Sequence, residues 1–496
     1  ENDTLPHYLE KEIRVGTYDI VANNEYLDRP PTPPSLIFII DSSQVSIQSG
    51  FYTSVLEILK LMIANDYIPE YERTNIGFIT IDDTINLFSF KENSQTHMMC
   101  INEVFLPAPV DSLLVNIEDY KNNINTLLES LQKITECKSK ESVNLFKAVE
   151  VAKLILRKGG KIIAFNASES ISNIDIMKSK LVKIKPEEAI YSLTDNGEVY
   201  RLGLELANDL ISCEIIQSSQ KFCNLLTLNQ LTVPNNGNIY FYKNYNMDIH
   251  YTNLYNQVFR ILTRDNGTEA LAKIKVSSKF KIKNIYTPIL TKDLEILILP
   301  NIDSDQSYTF TIDLKDPNTV IDEEYFYIQT SLIYSQNGIR KIRVNNLAIP
   351  YTDNINNLSQ NIDVEAIISL YTKYLITEVY SNKNVLNAVA KLRNILSSNT
   401  TATNTGSMIA GVQKNMSKTY NQNIESLLIY SMCLLKNRIF CKDEVHMKLD
   451  IDLNNYLRIK LLKMNVDELM IHIHPRLYDI VEVDKVRDLF NIVTKS

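Results

Sequence analysis

The chain has 496 residues, 45% of them hydrophobic and 22% charged. That composition suits a folded protein, since disorder needs lower hydrophobicity and higher charge, and the length predicts roughly three domains. With 51 basic residues against 59 acidic ones the net charge is −8, which argues against a surface that wraps nucleic acid or anionic lipid along its whole extent.

In chain order, the start Glu1-Asn2-Asp3-Thr4 lacks a basic region followed by an apolar one, so nothing reads as a signal peptide. Ile13–Val21 is a strand candidate. From Ser35, short β-branched runs alternate with longer helical patterns, the signature of a parallel sheet covered by helices. Strands are predicted at Leu36–Ile40, Asn75–Ile81, Asn86–Phe90, Lys161–Phe165, Glu214–Gln217 and Asn238–Tyr242. Helices are predicted at Tyr52–Ala64, Ile117–Leu131, Val143–Leu156, Val199–Ile211 and Leu254–Leu262.

Beyond about residue 265 the period becomes two: Tyr308, Phe310, Ile312 and Leu314 share a face, and Tyr327 to Leu347 supplies two more strand-like runs. From Asp363 helical spacing returns, with Val364, Ile367, Ile368, Tyr371 and Leu375 at three- and four-residue steps. Ser397–Lys418, rich in Ser, Thr and Asn, predicts a mobile loop between helices. The expected organisation is multidomain α/β + β + α. A strand region at 1–34 joins the β-sandwich, a doubly wound domain of the von Willebrand A type spans 35–264, the sandwich spans 265–355 and a helical domain spans 356–496. Stretches such as Ser35–Ile40 and Leu427–Leu435 fall short of the ~20 apolar residues that a membrane-spanning helix requires, so the chain is expected in the cytosol.

Sites of chemistry are few. Asp41-Ser42-Ser43-Gln44-Val45 follows the first strand of the α/β domain, where such folds bind ligands, and it resembles a D-x-S-x-S metal site. Val45 cannot supply an oxygen to a hard cation, so the expected structure is a strand-end turn in which Asp41 and Ser43 cap a helix. His472 and His474 lack a Cys or carboxylate at close ligand spacing, and Arg157-Lys158-Gly159-Gly160-Lys161 lacks the order of a phosphate loop. Six cysteines, at 100, 137, 213, 223, 433 and 441, form no C-x-x-C pair and predict reduced, mostly buried thiols. No Ser or Cys stands in a nucleophile elbow, so neither an enzyme nor a cofactor is expected.

Several segments, read in order, resemble the cargo-adaptor subunit of the COPII vesicle coat, the Sec24 family. They are the run Gly16 to Pro31 (GTYDIVANNEYLDRPP), Ile76 to Ile85 (IGFITIDDTI), Phe105-Leu106-Pro107 and Gly159-Gly160-Lys161-Ile162-Ile163. In the sandwich they are Asp305-Gln306-Ser307-Tyr308, Arg340-Lys341-Ile342-Arg343-Val344 and Leu347-Ala348-Ile349-Pro350, and near the end His474-Pro475-Arg476-Leu477-Tyr478.

The resemblance implies pairing with a Sec23-type subunit through the A-type domain, and peripheral assembly on the endoplasmic reticulum membrane under a small coat GTPase. It also implies capture of export signals from membrane cargo and SNAREs, with no nucleic acid partner. The family's zinc ribbon has no counterpart in this sequence, and its gelsolin-like module is reduced or missing after about 478, with Lys485–Ser496 resembling the family's final helix. Alternatives are the GTPase-activating paralogue and a metal-dependent adhesion module of the von Willebrand A type.

The resemblance also suggests a signal pocket. Arg260-Ile261-Leu262-Thr263-Arg264 and Thr268-Glu269-Ala270-Leu271-Ala272-Lys273 approximate the family's R-x-S-T-G-[LI]-R segment if one residue is inserted near Asn266-Gly267. Arg264 would then fork onto a carboxylate, Leu271 would pack the signal's apolar side chain and Lys273 would stand for the second arginine. Leu271 reads equally as the first core residue of a sandwich strand.

Overall fold

The computed structural model describes residues 15–23, 26, 30–90, 96–135, 142–170 apart from 144, 197–286 apart from 221, 222 and 224, 290–395 apart from 320, 322, 353, 383 and 384, 422–440 and 451–474. The expected loop Ser397–Lys418, the segment Pro475 to Tyr478, Lys485–Ser496, Cys137 and Cys441 lie outside these residues.

Strand β1 (Thr17–Val21) precedes the trunk and joins the sandwich, and the trunk sheet begins with β2 (Ser35–Asp41), β3 (Asn75–Ile81) and β4 (Ile85–Phe90). It continues with β5 (Thr96–Ile101) and β6 (Val115–Asn116). A two-stranded side pair, β7 (Ser142–Val143) with β9 (Glu169–Ser170), flanks β8 (Gly160–Asn166), after which β10 (Ile211–Ser219) and β11 (Ile239–Lys243) complete the sheet. Its eight strands run β11-β10-β8-β2-β3-β4-β5, with β6 on β3. From β11 to β3 every pair is parallel, while β4 and β5 turn back antiparallel.

Both faces of this sheet are covered, which is why the strands read as unbroken apolar runs. Leu36, Phe38 and Ile40 pack under helices Phe51–Ala64, Ile117–Gln132 and Met247–Thr263. Ile37 and Ile39 pack under Leu145–Leu156, Glu198–Asn208 and Leu225–Thr232. Each such side chain contributes about 1.5–3 kcal/mol on burial.

Four expectations need correction. The helix expected to run to Ile211 stops at Asn208, because Leu210 takes a left-handed φ of 58° and Ile211 opens β10. Val143 belongs to β7 rather than to the helix that follows. The last trunk helix starts seven residues earlier than Leu254, at Met247, where the Asn246 side chain accepts from the backbone N–H of Asp248. Strand β5 was not foreseen, since as an edge strand it is half exposed and carries no apolar alternation.

The sandwich sheet contains β12 (Asn266–Val276), β14 (Leu290–Asp293), β15 (Ile296–Asp303), β17 (Tyr325–Gln336) and β18 (Ile339–Pro350) together with β1. Its order is β1-β18-β17-β12-β15-β14, and β13 (Phe280–Ile285) pairs with β16 (Phe310–Leu314) as the second layer. Ala270, Ile274, Leu297, Leu299 and Tyr334 close over Ile282 between the two. The β17–β18 hairpin turns at Asn337-Gly338, with φ of 51° and 70°, the backbone that a two-residue hairpin requires and that Asn-Gly supplies.

The C-terminal helices Val364–Asn382, Gln422–Lys436, Ile451–Lys463 and Val466–Ile473 build a third core around Ile368, Leu375, Leu434, Leu461 and Leu469. This region covers one edge of the trunk sheet: Tyr456 packs on Phe241 of β11, and the Asp452 carboxylate accepts from the backbone N–H groups of Cys223 and Leu225. Among the described residues nothing pairs with the opposite edge, the outer side of β5.

Candidate functional site

At the carboxyl end of β2, Asp41 is 1% exposed and its oxygens are occupied by donors of the protein. Oδ1 accepts from the Ser43 N–H, and Oδ2 from the N–H groups of Ala167 and Ser168 and from the Ser168 hydroxyl, each at 2.8 Å. Ser43 caps the short helix Gln44–Gln48. The turn ties β2 to the residues after β8. Among the described residues no group of three or more His, Cys, Asp or Glu side chains could hold a metal ion.

Trunk, sandwich and helical region meet around Asp305-Gln306-Ser307-Tyr308. Asp305 accepts two N–H bonds from Arg260 of the last trunk helix, at 2.8 and 2.6 Å. The side-chain amide of Asn236 donates to Gln306 and to the Tyr308 hydroxyl. Ser307 donates to the Met464 carbonyl at 2.6 Å and accepts from the Lys373 ammonium at 2.8 Å. Asp305-Gln306-Ser307-Tyr308, one of the segments that carry the resemblance, is therefore the clasp of three domains.

Beneath it lies a buried ionic cluster. Arg264 reaches Glu214 at 2.6 Å and Asp303 at 3.0 Å, and Lys161 meets the same Glu214 oxygen at 2.7 Å. Burial works against the Glu214 charge, but Lys161 and Arg264 outweigh it and hold the carboxyl below its ordinary range. For Asp303 burial prevails and its pKa rises.

The proposed pocket residues separate. The Arg264 side chain is 6% exposed and turned inward onto Glu214 and Asp303, so it offers no fork to an incoming carboxylate. Leu271 is 41% exposed, on the outer face of the sandwich and not in its core. A β-bulge between Thr268 and Leu271, with Glu269 at a φ of 52°, sets that facing. There Leu271 stands in one row with Ile298, Ile333, Ile342 and Ile20, and Lys273 lies on the same face two residues further on.

A different segment lines up with the R-x-S-T-G-[LI]-R pattern without any insertion, though only Ser277 is identical: Lys275-Val276-Ser277-Ser278-Lys279-Phe280-Lys281, the turn from β12 to β13, has lysines at both arginine positions. The Phe280 N–H donates to the Ser277 carbonyl at 2.9 Å, closing the turn, and Lys279 keeps a negative φ, so no glycine is needed there. Beside the turn an open groove of about 630 Å³ has Val276, Ile328 and Leu347 in one cross-strand row, with Leu347 52% exposed. Lys275 flanks it, and Lys279 meets Glu323 at 3.6 Å.

An A-type trunk, a sandwich completed by a strand from before the trunk, and a helical region define a trunk-and-sandwich class of fold. Residues 31–262 match the family model described as the Sec23/Sec24 trunk domain, and residues 267–352 the one described as the Sec23/Sec24 beta-sandwich domain. The chain belongs to the Sec23/Sec24 family. It is 26% identical to protein transport protein Sec24A of Mus musculus over 492 residues, covering 96% of this chain and 43% of that protein. It is 25% identical to protein transport protein SEC24 of Dictyostelium discoideum over 478 residues, 92% of this chain and 46% of that one. The fold superposes on the crystal structure of the human COPII-coat protein Sec24c with a TM-score of 0.83 at 19% identity, covering 97% of this chain and 64% of that one. The chain thus spans less than half the length of these curated relatives.

Proposed function

We propose that this chain acts as a COPII coat subunit without catalytic activity, pairing with a Sec23-type partner and binding export signals of cargo for transport from the endoplasmic reticulum to the Golgi. The observation that carries this reading is the agreement of fold with a COPII-coat protein over 97% of the chain. Peripheral rather than spanning attachment to the membrane is consistent with the helices, since among the described residues none is long and apolar enough to cross a bilayer.

The partner surface is assigned to the trunk. One edge of its sheet is covered by the helical region, while among the described residues nothing pairs with the outer edge of β5, where Met98 is 55% exposed, and an open edge is where another chain can add. A specific pair should bury at least the ~1,200 Å² typical of stable complexes. Co-purification with a Sec23-type subunit is the test. Joint elution at micromolar concentration, lost in Met98→Asp, is expected, and separate elution of the unmodified proteins overturns the reading.

The signal site is assigned to the groove beside the β12–β13 turn, where an apolar row ends at exposed Leu347 and Lys275 flanks it. An acidic, apolar-anchored peptide suits that chemistry. Peptide titration should show binding weakened by Leu347→Asp and by Lys275→Glu with the fold intact; unchanged affinity in both removes the site.

A further inference from the structure

At the clasp, a small cavity opens between the last trunk helix and the helix Ile451–Lys463, with a volume of about 110 Å³. At ~30 Å³ per water, that is room for a few waters or one small ion, and far below the ~300 Å³ at which nucleotide- or drug-sized pockets begin.

The charges around it do not balance. Five cations, Lys161, Arg260, Arg264, Lys460 and Lys463, stand with four carboxylates, Glu214, Asp303, Asp305 and Glu468. All four carboxylates are engaged by Arg260, Arg264 and Lys161. Among the described residues neither Lys460 nor Lys463 has a carboxylate within ion-pair distance. Lys463 is 5% exposed and donates to the Gly237 carbonyl, a neutral acceptor. The Nε–H of Arg264, on a side chain 6% exposed in the cavity wall, has no acceptor.

A buried cation without an anion is costly, and a structure that keeps Lys463 buried and Lys460 half-buried beside one opening is short of a negative charge. We propose that this cavity binds a phosphate-type oxyanion, held by Lys460, Lys463 and the Arg264 Nε–H. Ammonium groups act as compact point charges toward phosphate, and the three donors line the one cavity from the end of the last trunk helix and from the helix Ile451–Lys463. Burial pulls the pKa of Lys460 down, and that of Lys463 down to about 8, although Glu468 acts against this at Lys460 and Asp303 and Glu214 at Lys463; a bound anion would raise both. The mouth is open to solvent, since the Arg260 and Glu468 side chains at its rim are 31% and 34% exposed. The phosphate could be free or carried as a monoester, and the two differ in whether the mouth must admit an ester group.

The test is calorimetric titration of the whole chain at pH 7 with sodium phosphate and, separately, with O-phosphoserine, against sodium chloride at matched ionic strength. Saturable one-to-one binding is expected for inorganic phosphate, with a rise in melting temperature. Phosphoserine binding at least as tight identifies a monoester as the source, and binding of inorganic phosphate alone identifies the free ion. Lys460→Met should weaken binding at least tenfold. Gln257→Glu, which places a carboxylate in the cavity wall, should abolish binding and raise the melting temperature in phosphate-free buffer. Absence of saturable heat with both titrants, equal stabilisation by chloride, or unaltered affinity in Lys460→Met overturns the proposal.

Discussion

Replacing Arg264 by Met separates a structural role for this residue from a signal-binding one. The substitution keeps an unbranched apolar stem but removes the cation that lies 2.6 Å from Glu214 and 3.0 Å from Asp303, carboxylates whose side chains are 1% and 0% exposed. Lys161 still neutralises Glu214, so Asp303 is left with the larger deficit. Breaking a buried ion pair by removing one partner costs roughly 3–5 kcal/mol. For a trunk-sized domain each kcal/mol moves the melting temperature by about 2–4 °C, so a fall of roughly 6–20 °C is expected by scanning calorimetry.

The pH dependence tests the cause. In the unmodified chain Glu214 titrates below its ordinary range, so its contribution is present above the unfolded carboxylate pKa and is lost as pH falls through the lower folded value. Without Arg264 the folded pKa of Asp303, and to a lesser degree that of Glu214, should rise, protonation then relieves the uncompensated charge, and the deficit relative to the unmodified chain should shrink between pH 7 and pH 4. A melting temperature lowered by less than 3 °C with signal-peptide affinity lost would refute the reasoning. A large deficit that does not change with pH would trace the loss to packing and not to charge.

Burial lowers the pKa of Lys373 to about 7. The folded state then sheds this proton before the unfolded state does, so stability should rise with pH from about 7 toward the model-peptide lysine value of ~10.4. In Lys373→Met, urea titrations should show a smaller rise that begins nearer pH 8, where Lys463 takes over. Leu271→Trp, at a position 41% exposed, should change unfolding free energy by no more than ~0.5 kcal/mol, and a larger loss would return Leu271 to the core. Asp452→Ala removes the acceptor for the Cys223 and Leu225 N–H groups, and a lost cap of this kind costs about 1–2 kcal/mol. Hydrogen exchange should then quicken at the start of the helix Leu225–Thr232, and unchanged protection there would show that the contact does not hold the helix.

Much of the architecture was legible in the chain because local periodicity reports burial. Leu36–Ile40 is apolar without interruption because both faces of β2 are covered, and Val364 to Leu375 repeats at helical steps because one stripe of that helix meets its neighbours. Strand β5 stayed hidden for the same reason, since an edge strand with an exposed Met98 and Cys100 carries no burial pattern to read. Alternation along β12 marks two faces but not which of them is covered. The bulge after Thr268 decides that, turning Ala270 into the core and Leu271 out, and such a one-residue shift leaves no periodic trace. The ionic cluster and the clasp were equally out of reach. Lys161, Glu214, Arg264, Asp303 and Lys463 come from five separate segments, each charge locally ordinary, and only the packing of three domains brings them together out of water, where their pairing acquires its energy.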